Sequence, residues 1–108
     1  MNSADTSPKR SRELERLHML HTQLEHRGIV PCRVLKAMSE VRREAFVMPD
    51  MCQQAYADGA LPIECEQTIS QPYTVAFMVQ EARITTEDRV LEIGTGSGYG
   101  AAVLSLIA

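Results

Sequence analysis

The sequence lacks any apolar run approaching the roughly 20 residues that a transmembrane helix needs. Its first eleven residues contain no apolar segment of the kind that a signal peptide requires. These two absences predict a protein that does not interact with a membrane and is located in the cytoplasm.

Cysteine is scarce, and no two cysteines form a Cys-x-x-Cys pair. Cys32, Cys52 and Cys65 are odd in number and widely spaced, which argues against both a disulfide framework and a zinc site. His18 and His21 can share a helix face, but they lack the glutamate and the i, i+4 spacing of zinc proteases. We therefore expect reduced, mostly structural thiols and no metal.

Charge of one sign does not dominate, since the net charge is −3. Residues 1–44 carry nine Lys and Arg against six Asp and Glu, but the charges alternate, as in Arg12-Glu13-Leu14-Glu15-Arg16. No aromatic residue stands among them to stack on a base. The pattern predicts a solvated helix face and no nucleic-acid partner. The alternative is a non-catalytic remnant that acts through this basic arm.

Helical periodicity recurs along the chain. Residues 1–11 are polar and without periodicity, which predicts a disordered terminus. We expect residues 12–108 to form an N-terminal helical region and the start of an incomplete cofactor-binding domain. Leu14, Leu17, Leu20 or His21, and Leu24 recur at helical spacing and predict the buried stripe of the first helix. Glycine and proline positions suggest where the helices begin and end: 12–28, from about 31 to beyond 41, 72–83 and 101–108.

A short apolar strand at Arg89–Ile93 precedes the glycine-rich loop Gly94–Gly98 and the last helix. This order predicts an α/β fold in which N-terminal helices lead into the first strand and helix of a parallel, Rossmann-like sheet. Such a loop presents bare backbone amides at the carboxyl end of a strand, where nucleosides and their charged tails bind.

Two ligands compete for this loop. Gly96–Ala101 satisfies the dinucleotide frame G-x-G-x-x-G/A, which leaves an NAD(P)-dependent oxidoreductase as an alternative. Val90–Gly98 instead resembles the first motif of class I S-adenosylmethionine methyltransferases. The first glycine of this second frame follows the strand directly. The carboxylate of Glu92 would repel a pyrophosphate, whereas a sulfonium cation tolerates it.

A second motif lies upstream. Leu61-Pro62-Ile63 and Gln67-Thr68-Ile69-Ser70-Gln71-Pro72-Tyr73 resemble the hallmark segment of protein-L-isoaspartate O-methyltransferases. Arg43–Val47, Ala55-Tyr56 and the block from Val75 to Met78 are similar to the same family. The resemblance extends over about residues 28–104 and is more specific than the loop alone.

The resemblance implies methyl transfer from S-adenosylmethionine to the α-carboxylate of L-isoaspartyl residues, which repairs damaged proteins and peptides. It implies that Ser70, otherwise interpreted as a helix cap, stands at the active site. Gln67 and Thr68 lie nearby in sequence and can help to hold the substrate carboxylate. The cofactor-binding residues implied are Glu92, Gly94, Thr95, Gly96, Ser97 and Gly98.

The sequence departs from the family pattern in two ways. Glu64 and Glu66 lie where family members usually have glycine, and these carboxylates should repel a carboxylate substrate unless they point outward. The chain also stops at Ala108, before the second strand, whose end carries the residue for the cofactor ribose in class I enzymes. We therefore expect a truncated sheet, exposed apolar surface and an inactive, marginally folded chain.

Overall fold

The structure, a computed structural model, describes the backbone of residues 8–108 and the side chains of residues 11–108. It is a small helical domain with one two-stranded antiparallel sheet. The regular elements are α1 (Pro8–Met19), α2 (Cys32–Glu40), β1 (Leu61–Pro62), β2 (Thr68–Ile69), α3 (Pro72–Ala82) and α4 (Tyr99–Ser105). A π-helical turn (Leu20–Leu24) and a 3-10 turn (Glu25–Arg27) extend α1, and two further 3-10 turns cover Arg43–Phe46 and Pro49–Gln54.

The four helices predicted from periodicity are confirmed, with small shifts at their ends. α1 begins at Pro8, so residues 8–11 are helical and not part of a disordered terminus; residues 1–7 of that prediction lie outside the described residues. The turns after α1 end at Gly28, which has a φ of 93°. Glycine adopts this angle without strain because it has no Cβ. α4 begins two residues before the predicted start.

The buried face of α1 differs from the predicted leucine stripe. Leu14 and Leu17 are 54% and 56% exposed, whereas Arg16 and Gln23 are buried. The hydroxyl of Tyr56 accepts a hydrogen bond from Nε of Arg16 at 2.8 Å, and the Tyr56 carbonyl accepts one from Nε2 of Gln23 at 2.8 Å. Leu20 and Leu24 are buried, as the stripe predicts. Nε of Arg16 and Nε2 of Gln23 find partners inside the domain, so these two side chains can also be buried while Leu14 and Leu17 turn outward.

The predicted strand at Arg89–Ile93 is not formed in this structure. The segment has no strand hydrogen bonds, and Leu91 and Ile93 are 85% and 89% exposed. A strand needs a neighbour for its amide and carbonyl groups, and within residues 8–108 no segment pairs with this one. The only sheet in that range is antiparallel and pairs Leu61 with Ile69 and Pro62 with Thr68. The parallel, Rossmann-like sheet is therefore absent from the described residues.

One hydrophobic core joins the helices. Its most deeply buried members come from all four helical regions and from the segment after Pro49: Leu24, Met38, Ala55, Ala76 and Val103, all at 0% exposure. Burial of this kind contributes about 25 cal/mol per Å² of apolar surface. Among the described residues, no helix is long and apolar enough to cross a membrane.

A polar network around Tyr56 connects α1 to the 3-10 turn that begins at Arg43. The Tyr56 hydroxyl accepts hydrogen bonds from Arg16 and from the Arg43 amide at 3.1 Å, and it donates to the carboxylate of Glu44. Burial and the hydrogen bond to Glu44 raise the pKa of Tyr56 to about 12. Burial alone would raise the pKa of Glu44, but the Tyr56 hydrogen bond and the Arg16 charge outweigh it and lower that pKa.

The raised pKa of Tyr56 predicts a loss of stability at alkaline pH. Because the folded pKa of about 12 lies above the ordinary value of 10.0, the neutral phenol stabilises the fold fully below pH ~10 and progressively less as pH rises towards ~12. Urea unfolding measures the difference in the free energy of unfolding between the unsubstituted chain and Tyr56→Phe. This difference should be larger at pH ~9 than at pH ~11.5, by roughly 1–2 kcal/mol. A pH-independent difference between the two proteins would contradict this.

Candidate active site

The glycine-rich loop makes a tight turn into α4. Gly94, Gly96 and Gly98 have φ values of 75°, 60° and 89°, a region that side chains with a Cβ rarely adopt. The amide of Gly98 donates to the carbonyl of Thr95 at 3.1 Å, and the amide of Tyr99 donates to the Ser97 hydroxyl at 3.2 Å. The backbone conformation of the loop therefore explains why all three positions are occupied by glycine.

The β1–β2 hairpin packs against this loop. A Cβ built at Gly96 would lie 3.9 Å from Oε1 of Gln67 and 4.0 Å from the carbonyl oxygen of Thr68. Ser70 follows β2 directly. The fold thus brings together the two segments that sequence reasoning had singled out separately.

A cavity of about 470 Å³ lies between the loop, β2 and α3, and we call it the loop cavity. Its volume falls within the range of small-molecule sites. The predicted site residues that line it are Thr68, Ser70, Glu92, Gly94, Thr95, Gly96 and Ser97. Two predicted residues lie elsewhere. Gln67 lines a neighbouring groove of about 440 Å³, the hairpin groove, and Gly98 packs against the ring of Phe46.

Part of the wall of the loop cavity was missed as a site by sequence reasoning. Val75, Val79 and Ala82 recur at helical spacing along α3, and they line the cavity together with Met78. Tyr99, 1% exposed, also lines it. The helical spacing correctly indicated an apolar face, but periodicity alone does not distinguish a face against the core from one against a ligand cavity.

Ser70 does not cap α3. Gln71 is the residue that precedes the helix, and its side chain accepts a hydrogen bond from Thr74 at 3.2 Å and donates to Asp58 at 2.7 Å. Hydrogen bonds from Arg27 and Gln71 lower the pKa of Asp58 to about 2. Ser70 itself is exposed, and no side chain or backbone group within the described part of the chain bonds its hydroxyl.

Glu92 lies over the first turn of α4. A Cβ added at Gly100 would come within 2.8 Å of Oε2 of Glu92, closer than real contacts allow. Glycine at position 100 therefore leaves the space that this carboxylate occupies beside the loop cavity.

Glu64 and Glu66 do not line the loop cavity. Both are exposed, and Glu64 lies at the edge of the hairpin groove. The turn between the strands has positive φ at Cys65 (60°) and Glu66 (57°). Glycine adopts this conformation without strain, so the backbone accounts physically for a preference for glycine at this turn.

The comparisons with known proteins agree on one family. The profile described as Protein-L-isoaspartate(D-aspartate) O-methyltransferase matches residues 15–108. The chain belongs to the protein-L-isoaspartate O-methyltransferase family.

Relatives named for the same activity cover most of this chain. It is 60% identical over 89 residues to "Protein-L-isoaspartate O-methyltransferase 1" of Geotalea uraniireducens, 82% of the chain and 41% of the relative. It is 55% identical over 87 residues to "Protein-L-isoaspartate O-methyltransferase" of Rhodopseudomonas palustris, 81% of the chain and 40% of the relative. The relative of Opitutus terrae is 50% identical over 105 residues, 97% of the chain and 45% of the relative.

The chain thus spans about two fifths of the length of the curated relatives it matches. The resemblance to the family that the upstream motif indicated is confirmed. Nothing in these matches supports the NAD(P)-dependent oxidoreductase alternative, which rested on the Gly96–Ala101 frame alone.

The positive φ at the hairpin turn predicts that glycine stabilises this family member. Replacing Glu66→Gly should raise the free energy of unfolding by up to about 1 kcal/mol, because it removes the strain of a Cβ at φ 57°. Glu64→Gly is the matched control, because Glu64 does not have a positive φ and glycine there only adds entropy to the unfolded chain. Urea unfolding should show a gain for the first and a loss for the second; equal losses would contradict the strain argument.

The contact between Gly100 and Glu92 predicts a coupled pair. Gly100→Ala should raise the free energy of unfolding by about 0.5 kcal/mol, because alanine has the higher helix propensity. The cost of moving the Glu92 carboxylate away from the new Cβ reduces this gain. In a Glu92→Ala background that cost vanishes, so the gain from the same substitution should be larger. A double-mutant cycle by urea unfolding measures the difference, and equal gains in both backgrounds would exclude the contact.

Proposed function

We propose that this chain carries the N-terminal part of the active site of an enzyme that methylates the α-carboxylate of L-isoaspartyl residues in proteins and peptides. S-adenosylmethionine is the proposed methyl donor. The observation that carries the proposal is the loop cavity. It gathers Thr68 and Ser70 from one motif, and Glu92 and Gly94–Ser97 from the other, in a chain that belongs to this family.

The residues around the loop cavity suit the proposed methyl donor. The amides of Gly94 and Gly96 donate to no group among the described residues and can meet a charged tail, and a Cβ at Gly94 would meet nothing within 4 Å. The apolar side, formed by residues such as Val79 and Leu104, suits an adenine ring. Glu92 places a carboxylate where a sulfonium cation can be tolerated. When bound, S-adenosylmethionine supplies an electrophilic methyl group.

The chain's own contribution is to align the substrate. An isoaspartyl carboxylate is ionised at neutral pH, so the reaction needs no strong base. The free hydroxyl of Ser70 can donate a hydrogen bond that orients one carboxylate oxygen without neutralising the other. Thr68 lines the same cavity, and Gln67 adds an amide from the hairpin groove. Alignment and the exclusion of water then lower the barrier.

Arg89–Ile93 is the part of the proposed site that depends on more structure. We infer that this exposed apolar segment becomes the first strand of a Rossmann-like sheet when a parallel strand lies beside it. Without such a strand, Leu91 and Ile93 stay exposed and the loop cavity stays open on their side. The 108 residues alone are therefore expected to be inactive, and a cytoplasmic location stays a prediction.

A fusion tests the proposed function directly. Residues 1–108 are joined to the part of the Geotalea uraniireducens relative that follows its matched region, and we refer to this protein as the fusion. The fusion should transfer labelled methyl from S-adenosylmethionine to an isoaspartyl peptide as a base-labile ester, whereas the 108-residue chain should not. Absence of label from a folded fusion, or equal labelling of an aspartyl control peptide, would refute the proposal.

Ser70→Ala in the fusion should lower kcat/KM for the isoaspartyl peptide about 10- to 100-fold, the loss of one hydrogen bond to a charged group. Because the Ser70 hydroxyl is exposed and unbonded among the described residues, the free energy of unfolding should change by less than about 0.5 kcal/mol. Ser39→Ala, on α2 and away from the loop cavity, is the matched control and should leave kcat/KM unchanged. Full activity of the Ser70→Ala fusion would show that this serine has no role in the proposed reaction.

A further inference from the structure

Arg43 is a fully buried arginine that contacts the proposed site without lining the loop cavity. Its exposure is 0%, and it lies in the 3-10 turn Arg43–Phe46, far in sequence from both site motifs. A buried cation is costly unless its donors are satisfied. Nε and Nη2 have hydrogen-bond partners, whereas Nη1 is buried with none among the described residues. The partners of Nε and Nη2 therefore show what the guanidinium holds in place.

Two of those groups are backbone carbonyls in different segments. Nε donates to the carbonyl of Ala55 at 2.6 Å, and Nη2 donates to the carbonyl of Ser70 at 2.8 Å. The planar guanidinium makes both bonds at once, so it fixes the distance between residue 55 and the peptide that follows β2. That peptide carries the Ser70 side chain into the loop cavity.

The third neighbour of Arg43 directly follows the glycine-rich loop. The guanidinium carbon lies 4.8 Å from the ring centroid of Tyr99, the first residue of α4. Tyr99 is 1% exposed, and its ring is 5.8 Å from that of Phe46. Within the described residues no carboxylate pairs with Arg43, so the aromatic face is the group that balances part of its charge.

We infer that Arg43 is a positioning residue that holds Ser70 and the start of α4 in register with each other. This inference rests on the proposed function for its catalytic consequence. Arg43 does not touch the substrate. It acts through the Ser70 carbonyl and the Tyr99 ring, so its loss misplaces the serine hydroxyl relative to the methyl donor bound at the loop.

A lysine at position 43 distinguishes the contact with the Tyr99 ring from the hydrogen bonds to the two carbonyls. Arg43→Lys keeps a cation that can stay near the Tyr99 ring, but one ammonium on a flexible stem does not reproduce the planar fork that bonds Ala55 and Ser70 together. Arg16→Lys is the matched control. Arg16 is also buried, donates to a backbone carbonyl and interacts with a tyrosine. Its partners are Ser39, Tyr56 and the carboxylate of Glu44, and none of them lines the loop cavity.

The kinetic test uses the fusion, well below the melting temperature of every variant. Arg43→Lys should lower kcat about 10- to 100-fold with KM for S-adenosylmethionine within about threefold, because misplacement of an aligning group slows the displacement itself. Arg16→Lys should lower Tm but change kcat less than about threefold. Equal kcat values for the two variants would reduce Arg43 to a structural role.

A second measurement does not depend on activity. The Gln71 amide belongs to the same peptide group as the Ser70 carbonyl, so its nitrogen chemical shift responds to the hydrogen bond from Arg43. In both the 108-residue chain and the fusion, Arg43→Lys should shift the Gln71 and Tyr99 amide resonances, whereas Arg16→Lys should leave them in place. Unmoved resonances would overturn the inference even if the fusion is active, whereas an inactive fusion with shifted resonances would refute only the proposed function.

Discussion

Two buried arginines and one buried tyrosine hold the irregular half of this domain to its helices. Arg16 reaches from α1 to the hydroxyl of Tyr56, and Arg43 binds the carbonyls of Ala55 and Ser70. The backbone amide of Arg43 shares the same Tyr56 hydroxyl. Buried donors of this kind are costly when unpaired, so each arginine holds its partners in place. The hairpin and the start of α3 depend on the Arg43 hydrogen bonds for their position.

The glycine loop and the hairpin meet because of this packing, and their meeting forms the loop cavity. The segment on the other side of the loop has no comparable support. Among the described residues no strand pairs with Arg89–Ile93, and Leu91 and Ile93 are exposed, because a strand gains its hydrogen bonds only from another strand. The side of the loop cavity formed by the hairpin and α3 is therefore well packed, whereas the side formed by Arg89–Ile93 is exposed.

The parts of the fold that depend on local sequence were predictable. Glycine at position 28 and proline at positions 31 and 72 bound the helices where the structure has them, because these residues act through their own backbone restrictions. The two-residue strands of the hairpin were not predicted. Pro62 is typical of a loop, and the positive φ values at the turn cannot be read from the sequence. The burial of Arg16 was not foreseen either, because its partner Tyr56 lies 40 residues away.

The sequence by itself determined the helices, the family and the two motifs of the proposed site, because each is encoded in residues close together along the chain. Only the tertiary structure decided that Ser70 and Thr68 share a cavity with Glu92 and the loop, while Gln67 faces a neighbouring groove. It also decided that Ser70 is not a cap and that Arg43 links it to Tyr99. These relations depend on contacts between distant residues, which no local pattern specifies.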